Sequence, residues 1–181
     1  MNPVPVVFHP DYVPGTTDHF NRLAAIARHA IACGAGRLAV PEPIPVSALD
    51  GLHDARYLDA YLNGTEPLAS SSGIRWSPAT RRSTLLMLGG QSLAVSLAMS
   101  GGVAFNLACG FHHAHPAYGG GFCAINGLAY VAHAFPGLKV AVLEGARHLS
   151  ASPQTRARRT ETFGSEPCAS VDDAPLRRGA P

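Results

Sequence analysis

The stretch from Gly110 to Asn126 reads Gly-Phe-His-His-Ala-His-Pro-Ala-Tyr-Gly-Gly-Gly-Phe-Cys-Ala-Ile-Asn, and its first seven residues are the densest histidine cluster in the chain. It follows the uncharged run Val103 to Leu107, which reads as a buried strand, and it precedes a segment that Asn126 can cap as a helix through Phe135. A loop leaving the carboxyl end of a strand is where open parallel sheets place their chemistry. Adjacent histidines such as His112 and His113 can bring two imidazoles to one reacting centre, one as base and the other as acid or electrostatic partner. By residue type alone such a pair is more often an ordinary loop feature, so both readings stay open at this level. Gly119, Gly120 and Gly121 allow close backbone approach to a ligand, and Phe122 can line a pocket wall. A phosphate loop is a weak reading, because no Lys-Ser/Thr follows the glycines. Cys123 reads as a buried, inert thiol rather than a nucleophile.

Working outward, Pro5-Val6-Val7-Phe8 predicts a buried strand ended by His9-Pro10. Residues 13 to 17 predict a turn that ends in a helix cap. From Asp18 the apolar residues Phe20, Leu23, Ile26, Ala27, Ala30 and Ile31 recur at helical spacing, with a stop at Gly34. The prolines of 41 to 46 impose an extended connection. A short helix is expected near Asp54 to Leu62, with Tyr57, Tyr61 and Leu62 inward, then a serine-rich loop from Gly64 to Gly73. Ser77-Pro78 starts a long helix to about Ser100, and Lys139 to Leu143 predicts a further strand. Strands alternating with helices define an α/β domain with a mainly parallel sheet. No internal repeat is present. From Gly145 to Pro181 only Leu149, Phe163, Val171 and Leu176 are large and apolar, a composition expected to be disordered.

The bulk composition narrows the function classes. With 181 residues, 46% hydrophobic and 14% charged, the chain suits one domain with a real core. A net charge of +2, spread over scattered arginines, gives no nucleic-acid surface. The four cysteines form no C-x-x-C pair, and the N-terminus has neither a basic start nor a long apolar run. Reduced thiols in the cytoplasm and no signal peptide are the expectation. Ser83 to Phe111 carries no charge and is long enough to span a bilayer. Its glycine pairs, serines, Gln91 and Asn106 favour a buried helix and strand, so no membrane partner is expected. His9, His19, His29 and His133 read as surface or loop residues, and His53 as a residue that caps or pins the loop ahead of its helix.

The string from Gly110 to Asn126 resembles the histone deacetylase and acetoin-utilisation family block, which reads G-x-HHA, then GFC, then an Asn after two intervening residues. Weaker elements stand in the same order: Phe8-His9-Pro10-Asp11-Tyr12, His53-Asp54 with Tyr57-Leu58, Trp76-Ser77-Pro78, Gly89-Gly90 and Ala104-Phe105-Asn106-Leu107. The resemblance runs from about Val6 to Leu143. It implies the arginase/deacetylase-like three-layer α/β fold and zinc-assisted hydrolysis of an acyl amide. Its substrates would be acetylated lysine or a small acetylated amine. By the same resemblance His112 and His113 match the family's catalytic dyad, and Gly121 and Phe122 its acyl-lysine channel.

The resemblance stops where the metal binds. After the strand matching 140 to 143 the family reads Asp-x-Asp-x-His-x-Gly, whose second Asp and His are zinc ligands. Here the register reads Glu144-Gly145-Ala146-Arg147-His148-Leu149-Ser150. His148 falls on a ligand position, while Ala146 replaces the carboxylate; a later ligand Asp and a transition-state Tyr have no counterpart. Catalytic zinc keeps three protein ligands and an open position, so zinc binding is expected to be degenerate and catalysis impaired. The implied organisation is a partial deacetylase-like domain over 1–144, cut short after the strand at 139–143, and a disordered 145–181. So abrupt a loss in mid-motif reads as a reading-frame or gene-fragment event. An acyl-amine-binding module without catalysis, or an enzyme completed by another chain, are the alternatives. Oligomeric state is not legible.

Overall fold

The computed structural model describes residues 3–12, 18–108 and 111–142. The expected turn at 13–17, the tail from 145, and both Ala146 and His148 lie outside the described residues.

Strand β1 (Val4–Val7) is the middle of a three-stranded parallel sheet of order β2-β1-β3, with β2 at Gly36–Ala39 and β3 at Phe105–Asn106. Val6 and Val7 are buried, as a strand flanked on both sides and covered by helices must be. Helix α1 (Asp18–Ala32) returns the chain from β1 to β2, the crossover that a parallel pair requires. β2 has no counterpart among the strands expected from sequence. Gly-Arg-Leu-Ala offers little β propensity, and its strand state comes from pairing Val4 with Gly36 through Val7 with Ala39. Gly36 is required by space: a Cβ there would lie 2.7 Å from Val6 Cγ2.

Three further expectations need correction. The strand at Val103 to Leu107 shrinks to two residues, and it is not buried. Phe105 is 55% exposed because β3 is a sheet edge among the described residues. Residues 139–142 form no strand, since no described strand lies alongside to satisfy their backbone. Ile26 and Ile31 of α1, read as part of an apolar stripe, are 50% and 40% exposed, while Ala27 is buried and Leu23 and Ala24 pack beside it.

Helix α2 (Ala55–Asn63) begins at Asp54, whose carboxylate accepts from the backbone N–H groups of Arg56 and Tyr57, and ends at Gly64 in the left-handed region. Helix α3 (Pro78–Gly101) begins at Ser77, whose hydroxyl accepts from Thr80 N–H, with proline at the first helical position. Extended backbone over 41–45 joins β2 to a 3-10 turn at Val46–Leu49. Helix α4 (Gly127–Ala134) is capped by Asn126.

α3 organises the core. Its residues from Ser83 to Gln91 are all buried, and consecutive side chains feed two different clusters. Leu85 and Leu88 pack with Tyr57, Leu58 and Tyr61 of α2 and with Ile125 and Tyr130 near α4. Leu86 and Met87 pack with Phe8, Tyr12, Phe111, Ala114 and Cys123. Gly89 and Gly90 do not interrupt the helix. They let it press against the Glu42 carbonyl and against the Tyr12 hydroxyl with Asn106, contacts a Cβ would block. By length and composition α3 could cross a membrane, yet its first half is the core helix just described. The second cluster holds the histidine loop against β1 and α3.

Candidate active site

His112 and His113 form a turn directly after Phe111, half-buried, with ring centroids 3.9 Å apart and planes tilted by 52°. Both phenylalanines of the loop are forced into left-handed backbone: Phe111 at φ 56° and Phe122 at φ 64°. They are the non-glycine residues with positive φ among those described, and each such residue costs about 1–3 kcal/mol that surrounding structure must offset. Strain of this kind collects where a loop has to present side chains in a set direction. Here Phe111 turns its ring into the core while the chain reverses, and Phe122 leaves its ring 65% exposed.

The glycine run fits this geometry residue by residue. Gly121 sits at φ 50°, and a Cβ on it would lie 2.8 Å from the His113 ring. A Cβ on Gly119 would meet Ser72 and the Cys123 carbonyl, both below 3.0 Å. Gly120 and Cys123 exchange backbone hydrogen bonds of 3.0 and 2.8 Å, which close the turn carrying Gly121 and Phe122. Phe122 N–H donates to Ser72 carbonyl (2.8 Å) and Gly119 N–H to Ser71 Oγ (2.9 Å), so the serine-rich loop of 64–73 anchors the turn. The Phe122 ring borders a small cleft shared with Tyr61, Ile74, Thr84, Met87 and Phe111. Cys123 is buried, and its thiol donates to Gly121 carbonyl at 3.3 Å.

Two residues do more than the sequence reading assigned them. Asn126 caps α4 by accepting from Ala129 N–H (2.9 Å), and its amide also donates to the carbonyls of Ala114 (3.1 Å) and His112 (3.4 Å). His53 was expected to pin the loop before α2; instead it reaches across to the histidine loop. Its Nδ1 lies 2.8 Å from His115 carbonyl and 3.2 Å from Pro116 carbonyl, and its Nε2 accepts from Asn126 N–H at 3.1 Å. Burial holds the His53 imidazole below its ordinary range, and the Pro116 and His115 carbonyls pull the other way to a smaller extent. Tyr57 hydroxyl donates to Ala124 carbonyl (2.7 Å), a tie from α2 itself to this region. The Asn three residues beyond Cys123 and the His53-Asp54 pair were the sequence signals at this clamp. A long-range backbone contact such as that of His53 leaves no mark in the pattern.

With fold and site in view, the chain can be placed among known proteins. The histone deacetylase domain family matches residues 14–144. An uncharacterized protein of Picosynechococcus sp. is 37% identical over 134 residues, covering 69% of this chain and 45% of that protein. The crystal structure of an acetylpolyamine aminohydrolase from Burkholderia pseudomallei superposes with a TM-score of 0.58 at 19% identity, covering 74% of this chain and 53% of that one. The fold is thus of the arginase/deacetylase α/β class. The chain belongs to the histone deacetylase domain family, and it spans about half the length of the relatives it matches.

Among the described residues no three His, Cys, Asp or Glu side chains converge as a metal site.

Proposed function

We propose that this chain carries the histidine pair and one channel wall of an acyl-amine site, taking acetylated lysine or a small acetylated amine, with hydrolysis impaired. The observation that supports it is the strained loop itself: Phe111 and Phe122 accept left-handed backbone so that the His112–His113 pair stands beside Gly121 and an exposed aromatic ring. In this reading the acyl chain lies along Gly121 and Phe122. One imidazole of the pair takes a proton from water, and the other delivers one to the leaving amine.

Positioned acid–base groups contribute about 10²–10⁴-fold. The Lewis acid that would make water a strong nucleophile at neutral pH is a separate contribution. In family register Ala146 stands where a carboxylate ligand belongs, and a methyl group offers no lone pair. Zinc affinity is therefore low and turnover slow, and binding of acyl amines is the activity that remains.

Titration of the purified chain with an acetyl-lysine peptide and with N-acetylputrescine, followed by isothermal calorimetry, tests the site. Saturable binding weakened in Phe122→Ala supports it, and absence of binding to either ligand overturns it. Retention of stoichiometric zinc after dialysis together with rapid deacetylation would overturn the impairment.

A further inference from the structure

The hydrogen-bond partners of His53 determine its tautomer. Asn126 N–H can only donate, so Nε2 carries a lone pair; the carbonyls of His115 and Pro116 can only accept, so Nδ1 carries the proton. A second proton, on Nε2, would set two N–H groups against each other across 3.1 Å. The neutral ring is thus a two-sided clamp between the turn after the histidine pair and the cap of α4. Asn126 extends the clamp, since its amide holds the carbonyls of His112 and Ala114 from the other side. The Asp54 N–H bond to Pro116 carbonyl (2.9 Å) docks the start of α2 on the same turn. The groups facing His53 are the Tyr57 ring on α2, its centroid 5.5 Å away, Asp54 turned onto its own helix, and the backbone of His115, Pro116 and Asn126.

We propose that His53, as its neutral Nδ1–H tautomer, is a positioning residue that sets the orientation of the His112–His113 pair through Asn126 and the 115–116 turn. This rests on the reading of that pair as the working groups of the site. Its effect is transmitted through the backbone of His115, Pro116 and Asn126.

Histidine-selective ¹⁵N spectra of the full chain test this without any turnover. In the wild-type protein His53 shows a pyrrole-like Nδ1 and a pyridine-like Nε2, the reverse of the tautomer common in free histidine. On acidification the His112 and His113 ring resonances move at the midpoint of His53. His53→Asn keeps a donor near the Nδ1 position and His53→Gln an acceptor near the Nε2 position. Each variant shifts the His112 and His113 ring resonances, and His53→Leu shifts them most, with near-ultraviolet dichroism retained.

A wild-type His53 protonated on Nε2 overturns the proposal, as does a folded His53→Leu with unmoved His112 and His113 spectra. Should the variants unfold, the wild-type titration decides: a His53 step that leaves both other rings unmoved overturns it. The outcome is separable from the functional reading. Acyl-amine binding with unmoved spectra removes only the positioning role, and coupled spectra without ligand binding remove only the site.

Discussion

A methyl group added at Gly121 would stand 2.8 Å from the nearest atom of the His113 ring, on backbone already at φ 50°. Left-handed backbone costs a residue with a Cβ roughly 1–2 kcal/mol, so Gly121→Ala lowers stability by about that amount. It also displaces the His113 ring. Chemical denaturation and the His113 ring resonance together check this, and an unchanged spectrum would mean the ring is not held by the glycine. At Ala146 the argument is about ligands. Restoring the family's carboxylate in Ala146→Asp gives the Asp-x-His pair with His148, and two ligands bind zinc more tightly than one. Isothermal titration with zinc should show measurably higher affinity in the variant. Equal affinities would refute the register that aligns this segment with the family's ligands.

α3 shows why helix propensity and helix packing have to be weighed separately. Replacing a helical glycine by alanine ordinarily stabilises a helix by about 1 kcal/mol. At Gly90 the new methyl would run into the Tyr12 hydroxyl and the Asn106 side chain, which are themselves hydrogen-bonded at 3.1 Å. Overpacking of this kind costs about 1–3 kcal/mol, so Gly90→Ala is expected to destabilise despite the propensity gain. The same exchange at Gly101 meets open space, near the end of the helix, and serves as the control. Thermal melts of the two variants give opposite signs or leave the Gly101 variant unchanged. If Gly90→Ala raises the melting temperature, α3 does not approach Tyr12 as closely as described.

At the scale of the molecule, two features follow from how the core and sheet are built. Burial raises Tyr61 from its ordinary value near 10 to about 12, and raises Tyr12 and Tyr57 as well. The folded chain therefore keeps phenol protons that the unfolded chain releases. The stability these groups contribute is complete below pH about 10 and is lost as pH rises through the folded values. Phenolate absorbance should accordingly lag in the folded state and appear together with loss of dichroism, whereas phenolate formation by all tyrosines near pH 10 without unfolding would contradict the burial. The second feature is exposure at the sheet margins: Phe105, Val103 and Met99 near β3, and Leu38 and Val40 at β2. Apolar edge strands invite pairing with other chains. Self-association is expected to rise with concentration and to fall in Phe105→Lys, as sedimentation velocity would show.

Local signals carried much of this structure. Ser77-Pro78, Asp54 and Asn126 mark three helix starts because capping is chemistry within four residues, and the bounds of α2, α3 and α4 follow the sequence closely. The Gly-x-His-His-Ala and Gly-Phe-Cys spacing pointed to the deacetylase family, which the match over 14–144 bears out. Tertiary structure decided what depends on a neighbour. β2 is a strand because β1 lies beside it, while 139–142 is none because no described strand does. β3 is exposed because nothing described continues the sheet past it, though its composition reads as buried. His53 looked like a local cap and proved to be a clamp on a loop sixty-two residues away. A hydrogen bond of that range depends on how α2, α4 and the histidine loop pack, and no periodicity along the chain encodes it.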